Sequence, residues 1–258
     1  MIRARLSNEG ERLSKRVMQL KGCSRREAEQ FIEGGWVTVN GVVVEDPPFR
    51  VGNQTVQIAA DATLLGAESV TLLLHKPPGW LDGVEEKEVG KGKTQSAREL
   101  LSPLSHWDQD GENIRVLKRH FNHLESDVPL ETGASGLLVF TQDWRTRRKL
   151  SEDIGSMEHE LVADVAGEVS DEALQSITRA LKDARNPLPH TKFSVSSTSP
   201  ERSKLRFAVK GAHPGLVAHL CERGGLTLLA LRRIRLGRVS LRDLPVGQWR
   251  YLDNFEKF

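Results

Sequence analysis

Asn40-Gly41 stands between two β-branched runs, Trp36-Val-Thr-Val39 and Val42-Val-Val44. A two-residue connection of this kind closes a tight hairpin, because Asn and Gly both accept the positive φ that the turn demands. The hairpin fixes what can precede it. The segment ERLSKRVMQL places Leu13, Val17, Met18 and Leu20 in an approximate helical stripe. After Gly22, Ser24-Arg25-Arg26-Glu27 has the spacing of a capping box, in which the serine accepts a first-turn amide and the glutamate reaches back to the cap. Ala28, Phe31 and Ile32 form the apolar face of a second helix, which stops at Gly34-Gly35. Helix, capped basic helix and hairpin therefore form one compact unit over residues 1–60.

Charge is distributed unevenly although the net value is only +2. Arg3, Arg5, Arg12, Lys15, Arg16, Lys21, Arg25 and Arg26 crowd the N-terminal segment against Glu9 and Glu11. The stretch from Arg202 to Arg250 is basic again and contains the run LRRIRLGR, with Arg232, Arg233 and Arg235. Two basic ends around a neutral middle suit a chain that neutralises phosphates. Other classes are disfavoured. No apolar run approaches the roughly 18 residues that cross a bilayer, and the charged N-terminus lacks a secretory signal's apolar stretch. Cytoplasmic residence is expected. Cys23 and Cys221 are isolated, so they suggest neither a disulfide framework nor a metal site. The histidines fall into no metal-ligand spacing, and the His120/His123 pair reads as surface or RNA-facing.

Beyond a polar linker at 61–69, the pattern predicts a second domain over 70–258. VTLLLHKPPGW reads as a strand running into a turn, and Gly83–Lys93 as a mobile charged loop. GLLVFTQDWRTRRKL reads as a buried strand followed by a basic helix, with Asp143 in a structural role at the junction. ELVADVAGEVSDEALQSITRAL reads as strand, turn and amphipathic helix, KLRFAVKG as an alternating strand, and the remainder as a helix followed by strands. Strands mix with helices without βαβ alternation, so the predicted class is α+β, with a mixed or antiparallel sheet in the second domain. Trp80, Trp107, Trp144, Trp249 and Phe207 could stack bases, although Trp249 and Phe207 read as core.

The first sixty residues resemble the S4-type (αL) RNA-binding module in the order of all their parts. The second domain resembles the catalytic domain of the ribosomal pseudouridine synthases of the RsuA/RluF type. The resemblance rests on LLLHKPPGW, PLETGASGLLVFTQD, MEHELVADVAG and LALRRIRLGRVSLRDLPVGQWRYL. It implies structured ribosomal or transfer RNA as partner, a monomer, and chemistry that uses no cofactor or metal. It also implies RNA contacts through Arg12, Lys15, Lys21, Arg25, Arg26, Arg232, Arg233 and Arg235.

The family's central motif reads Arg-Leu-Asp, two variable positions, then Thr-x-Gly-Leu-Leu. Here it reads Pro129-Leu130-Glu131-Thr132-Gly133-Ala134-Ser135-Gly136-Leu137-Leu138. Glu131 thus holds the position of the catalytic aspartate, which in active members attacks the nucleoside so that the uracil detaches, rotates and rejoins through carbon 5. One added methylene displaces a carboxylate by about an ångström, an error that costs on the order of a hundredfold in rate. Leu161 falls where the family has its uracil-stacking tyrosine. Gly211-Ala212-His213-Pro214-Gly215 falls where it has the arginine that pairs with the carboxylate. Two readings follow. One is an RNA-binding protein that keeps the synthase fold with little or no isomerase activity. The other is a working isomerase in which Glu131 serves as the carboxylate and Arg232, Arg233 or Lys76 supplies its partner.

Overall fold

The computed structural model describes residues 10–64, 69–84, 95–111 and 114–258. Four residues of the 61–69 linker, and most of the Gly83–Lys93 loop, lie outside the described residues. The chain divides into two compact units. One runs from the N-terminal part to Ser69 and takes in Ile114–Asn122; the other contains the rest of the chain from Val70 onward.

In the small unit, α1 (Leu13–Lys21) and α2 (Arg25–Glu33) pack on a three-stranded antiparallel sheet of β3 (Val42–Val43), β2 (Val37–Val39) and β5 (Val56–Ile58). The short strands β1 (Glu11–Arg12) and β4 (Arg50–Val51) pair separately. Ser24 caps α2 as predicted: its hydroxyl accepts the Glu27 amide, and the Glu27 carboxylate accepts the Ser24 amide at 2.7 Å. Asn40 and Gly41 turn the hairpin at φ 49° and 80°. Leu13, Val17, Phe31, Ile32 and Val37 close the core. Truncating one such leucine to alanine costs about 2–5 kcal/mol.

Sequence patterning assigned residues 114–122 to the second domain, yet they fold with the first. Leu117 is buried against Gly35, the Arg115 guanidinium donates to the Gly35 carbonyl at 2.7 Å, and the Lys118 amide donates to the Glu45 carboxylate at 2.7 Å. His120 is buried in this segment rather than lying at the surface, which corrects the expectation for His120, whereas His123 is exposed as expected. Burial, with the Arg119 charge adding to it, pushes the His120 imidazole down to about 4, so the ring stays neutral at physiological pH.

The large unit is built on one mixed sheet. Its order is β13 (Trp249–Tyr251), β6 (Thr71–Lys76), β7 (Ser135–Thr141), β11 (Leu228–Leu236), β8 (Glu158–Ala166), β10 (Arg202–Lys210) and β9 (Thr191–Ser197). The short β12 (Val239–Ser240) pairs with β11. β7 and β11 run parallel, and every other pairing among the described strands is antiparallel. Helices α3 (Trp144–Glu152), α4 (Asp171–Leu181) and α5 (Leu216–Arg223) complete the α+β unit. Asp143 caps α3 by accepting the Thr146 amide at 2.8 Å, the structural role expected of it. Trp249 and Phe207 are fully buried, as expected of them in a chain with so few aromatics.

Candidate functional site

The loop between β6 and β7 carries Glu131, and its conformation is set from below by buried polar groups. Gly136 opens β7 beside Arg233 of β11, and a Cβ placed there would lie 2.2 Å from the Arg233 carbonyl oxygen. Only glycine permits that approach, and its φ of 113° is one that side-chain-bearing residues rarely adopt. The close pairing sends the Arg233 side chain under the loop. Its Nε donates to the Leu137 carbonyl at 2.8 Å, and its Nη1 to the Pro129 carbonyl at 2.7 Å. Asp82, fully buried, accepts the amides of Leu130 and Val84. Lys76, also fully buried, donates from Nζ to the carbonyls of Trp80 at 2.8 Å and Thr132 at 3.2 Å. Three ionisable side chains thus bind backbone groups on either side of Glu131. A buried charge is tolerated where its hydrogen bonds replace water.

Above this floor, Glu131, His159, Leu161, His213, Val217 and Arg233 line one cleft with the Gly211–Pro214 segment. The three separated motif positions of the sequence therefore meet in space. Glu131, half-buried, accepts the Gly215 amide at 2.7 Å, at the residue that precedes α5. A hydrogen bond from a neutral donor to a carboxylate contributes about 1.5–3 kcal/mol. Among the described residues no Lys or Arg forms an ion pair with Glu131 within 4 Å. The Arg233 charge nonetheless acts on the same space. Burial lowers the guanidinium to about 10, while Glu131 and Asp82 oppose that fall. Arg233 Nη2 is buried without a hydrogen-bond partner, as is His159 Nε2. Burial holds His159 down at about 3, reinforced by the Arg233 and His213 charges, so its imidazole is neutral. The cavity volume is about 20 Å³, room for one or two waters.

The other expected site residues divide by exposure. Arg12, Lys15, Lys21, Arg25 and Arg26 all face solvent on the small unit. Lys15 lies 3.7 Å from Glu11, Arg25 donates to Glu29 at 2.9 Å, and Lys21 sits 5.6 Å from the Phe31 ring centre. Arg232 is exposed on β11. Arg233, 1% exposed and bonded to backbone carbonyls, cannot contact RNA directly, which corrects its place in that set. Arg235 is largely spoken for by Glu158, Glu160 and the Gly237 carbonyl. Sequence reasoning missed Asp82 and the burial of His159. An isolated Asp after a Pro-Pro-Gly turn carries no signal of its own, and His159 was read only as a substitute within a family pattern.

The S4 domain family matches residues 11–56. Over 245 residues the chain is 27% identical to the chloroplastic protein SVR1 of Arabidopsis thaliana; the match covers 92% of this chain, which spans 57% of that relative. A protein of Aquifex aeolicus named as an RNA pseudouridine synthase is also 27% identical, with 95% of this chain and 94% of that one covered. Among solved structures, a pseudouridylate synthase crystal structure aligns with 95% of this chain and 96% of its own at a TM-score of 0.50 and 17% identity, a likeness of fold.

Proposed function

The chain belongs to the S4-bearing pseudouridine synthases of the RsuA/RluF type, and from that premise we propose that it binds structured ribosomal or transfer RNA without useful isomerase chemistry. The observation that carries this reading is the state of the Glu131 carboxylate. It is tied to the Gly215 amide and has no ion-pair partner among the described residues. The wall opposite it is Leu161, which can pack against a base but offers no hydroxyl. A carboxylate engaged by a donor is a weaker nucleophile, and with leucine at this position no hydroxyl assists the proton loss that isomerisation requires. The RNA-binding half of the reading rests on the S4 match and the solvent-facing cations of α1 and α2.

One observation favours the second reading, an active isomerase. The guanidinium that the 211–215 segment lacks is supplied from another strand, because Arg233 lies beneath Glu131 with Nη2 unpartnered. In that reading Arg233 stabilises the carboxylate and Glu131 attacks the nucleoside. The deciding experiment incubates the purified protein with ribosomal and transfer RNA lacking modifications, then maps pseudouridine by chemical labelling. No site-specific product is expected. Product formed by the parent protein and abolished by Glu131→Ala establishes the isomerase instead.

A further inference from the structure

Helix α3 presents an unusual outer strip. Trp144 is 63% exposed at its first turn, and the Arg145 guanidinium lies 5.7 Å from the centre of the indole ring. Arg148 and Lys149 follow one turn later, at i+4 from Trp144 and Arg145, so the four side chains share one face. The opposite side is anchored by Leu150, which is buried. All four strip residues are exposed.

The cations of α3 are not equivalent. Arg147 is held by Asp127 at 2.8 Å and Glu125 at 3.9 Å, and Arg148 by Glu152 at 2.8 Å. Arg145 and Lys149 form no ion pair among the described residues. Lys149 and Arg145, whose charge reaches the Asp143 cap without forming an ion pair, lie one turn apart beside a tryptophan left in solvent and match a polyanion that also carries flat aromatic groups. A solvated helix face accounts for the charges but not for a tryptophan, whose large apolar surface is normally removed from water. An acidic protein segment would satisfy the charges and leave the indole without a stacking partner. RNA satisfies both, because phosphates meet Arg145 and Lys149 while an unpaired base stacks on Trp144.

We propose that α3 is a second RNA-contact surface on the large unit, with Trp144 as the stacking platform for one unpaired base and Arg145 and Lys149 as contacts to its flanking phosphates. This rests on the RNA-binding reading above and adds the chemistry recognised: an unstacked nucleotide rather than a continuous duplex. Arg148 is kept out of the phosphate role by Glu152.

The test uses the full chain and two RNA probes: a stem-loop with a single-nucleotide 2-aminopurine bulge, and a fully paired duplex of equal length. Trp144→Ala is expected to weaken binding of the bulged probe about tenfold and to abolish quenching of the 2-aminopurine. Duplex affinity should hold within about twofold. Trp144→Phe should restore most of the quenching, which separates stacking from a folding defect. Replacing Arg145 and Lys149 together by alanine should lower the salt dependence of binding by about two counterions. Unchanged quenching and unchanged salt slope in these variants, with the parent binding RNA well, would sink the α3 surface and leave RNA binding elsewhere intact. A parent protein that binds neither probe, nor unmodified ribosomal or transfer RNA, overturns both readings at once.

Discussion

Arg26 and Arg233 carry the same charge in opposite surroundings. Arg26 stands in water on the first turn of α2, beside a serine cap whose amides add to the local positive field. Arg233 lies under the Glu131 loop, with its fork bonded to the carbonyls of Pro129 and Leu137. The first remains available to an outside phosphate and contributes almost nothing to the fold. The second is consumed by the fold, and its charge acts on the groups packed around it, Glu131, Asp82 and His159. The small unit thus leaves its charge in solvent, whereas the cleft of the large unit spends it on positioning its own loop.

The largest effect should come from disturbing the cleft's foundation. Gly136→Ala would drive a methyl into the Arg233 backbone, with contacts of 2.2 and 2.6 Å that only displacement of a strand can relieve. We expect a loss of about 4 kcal/mol or more in chemical denaturation, the range reserved for severe packing or backbone violations. A loss below about 1 kcal/mol would mean that the β7–β11 approach is not as close as described, and the contrast between the two arginines would weaken.

Acid should act on both units, through His120 in the small one and through His159 in the large one, where buried His75 is also held below its free value by burial. His120 is held at about 4 and His159 at about 3, against 6.5 for a free imidazole. A folded-state pKa below the unfolded one means that the unfolded chain binds the extra proton. Stability is therefore complete above about pH 6.5 and falls as pH drops toward 4 for His120 and 3 for His159. By pH 5 each ring should cost about 2 kcal/mol relative to pH 7. Urea titrations at pH 7 and pH 5 measure the loss, and His159→Gln or His120→Gln should each reduce it by about 2 kcal/mol, leaving the share of His75. A parent protein equally stable at both pH values would show that these rings are hydrated.

Much of the fold was written locally in the chain, and little of the cleft was. The capping box at Ser24 and Glu27 and the turn at Asn40-Gly41 depend on residues within a few positions of one another, so periodicity and turn chemistry expose them. The cleft depends on pairings across about a hundred residues: Arg233 with Pro129 and Leu137, and Gly215 with Glu131. The motif resemblance located Glu131, Leu161 and the 211–215 segment, and the three do converge. The basic run LRRIRLGR placed Arg233 among the RNA contacts, because strand residues alternate faces and charge alone does not reveal which face is buried. Residues 114–122 escaped for a similar reason. Their anchors, Gly35 and Glu45, lie some 73–80 positions earlier in the chain.

The smallest effect on stability should come from the exposed cations, and it is the one that sharpens the contrast most. Arg25→Ala combined with Arg26→Ala removes two solvent-facing side chains and one surface ion pair, Arg25 with Glu29. Such pairs contribute well under 1 kcal/mol, so the unfolding free energy should change by about 0.5 kcal/mol or less. RNA affinity should respond quite differently. Each lost phosphate contact releases about one counterion fewer, so the slope of log affinity against log salt should become shallower by up to about two. The measurement is a filter-binding or anisotropy titration across salt concentrations, made on parent and double variant with the same structured RNA. Equal slopes would show that α2 is an ordinary solvated face, and the small unit would lose its claim to the electrostatic contact. A shallower slope with unchanged stability would establish that charge at α2 serves the partner, as charge at Arg233 serves the fold.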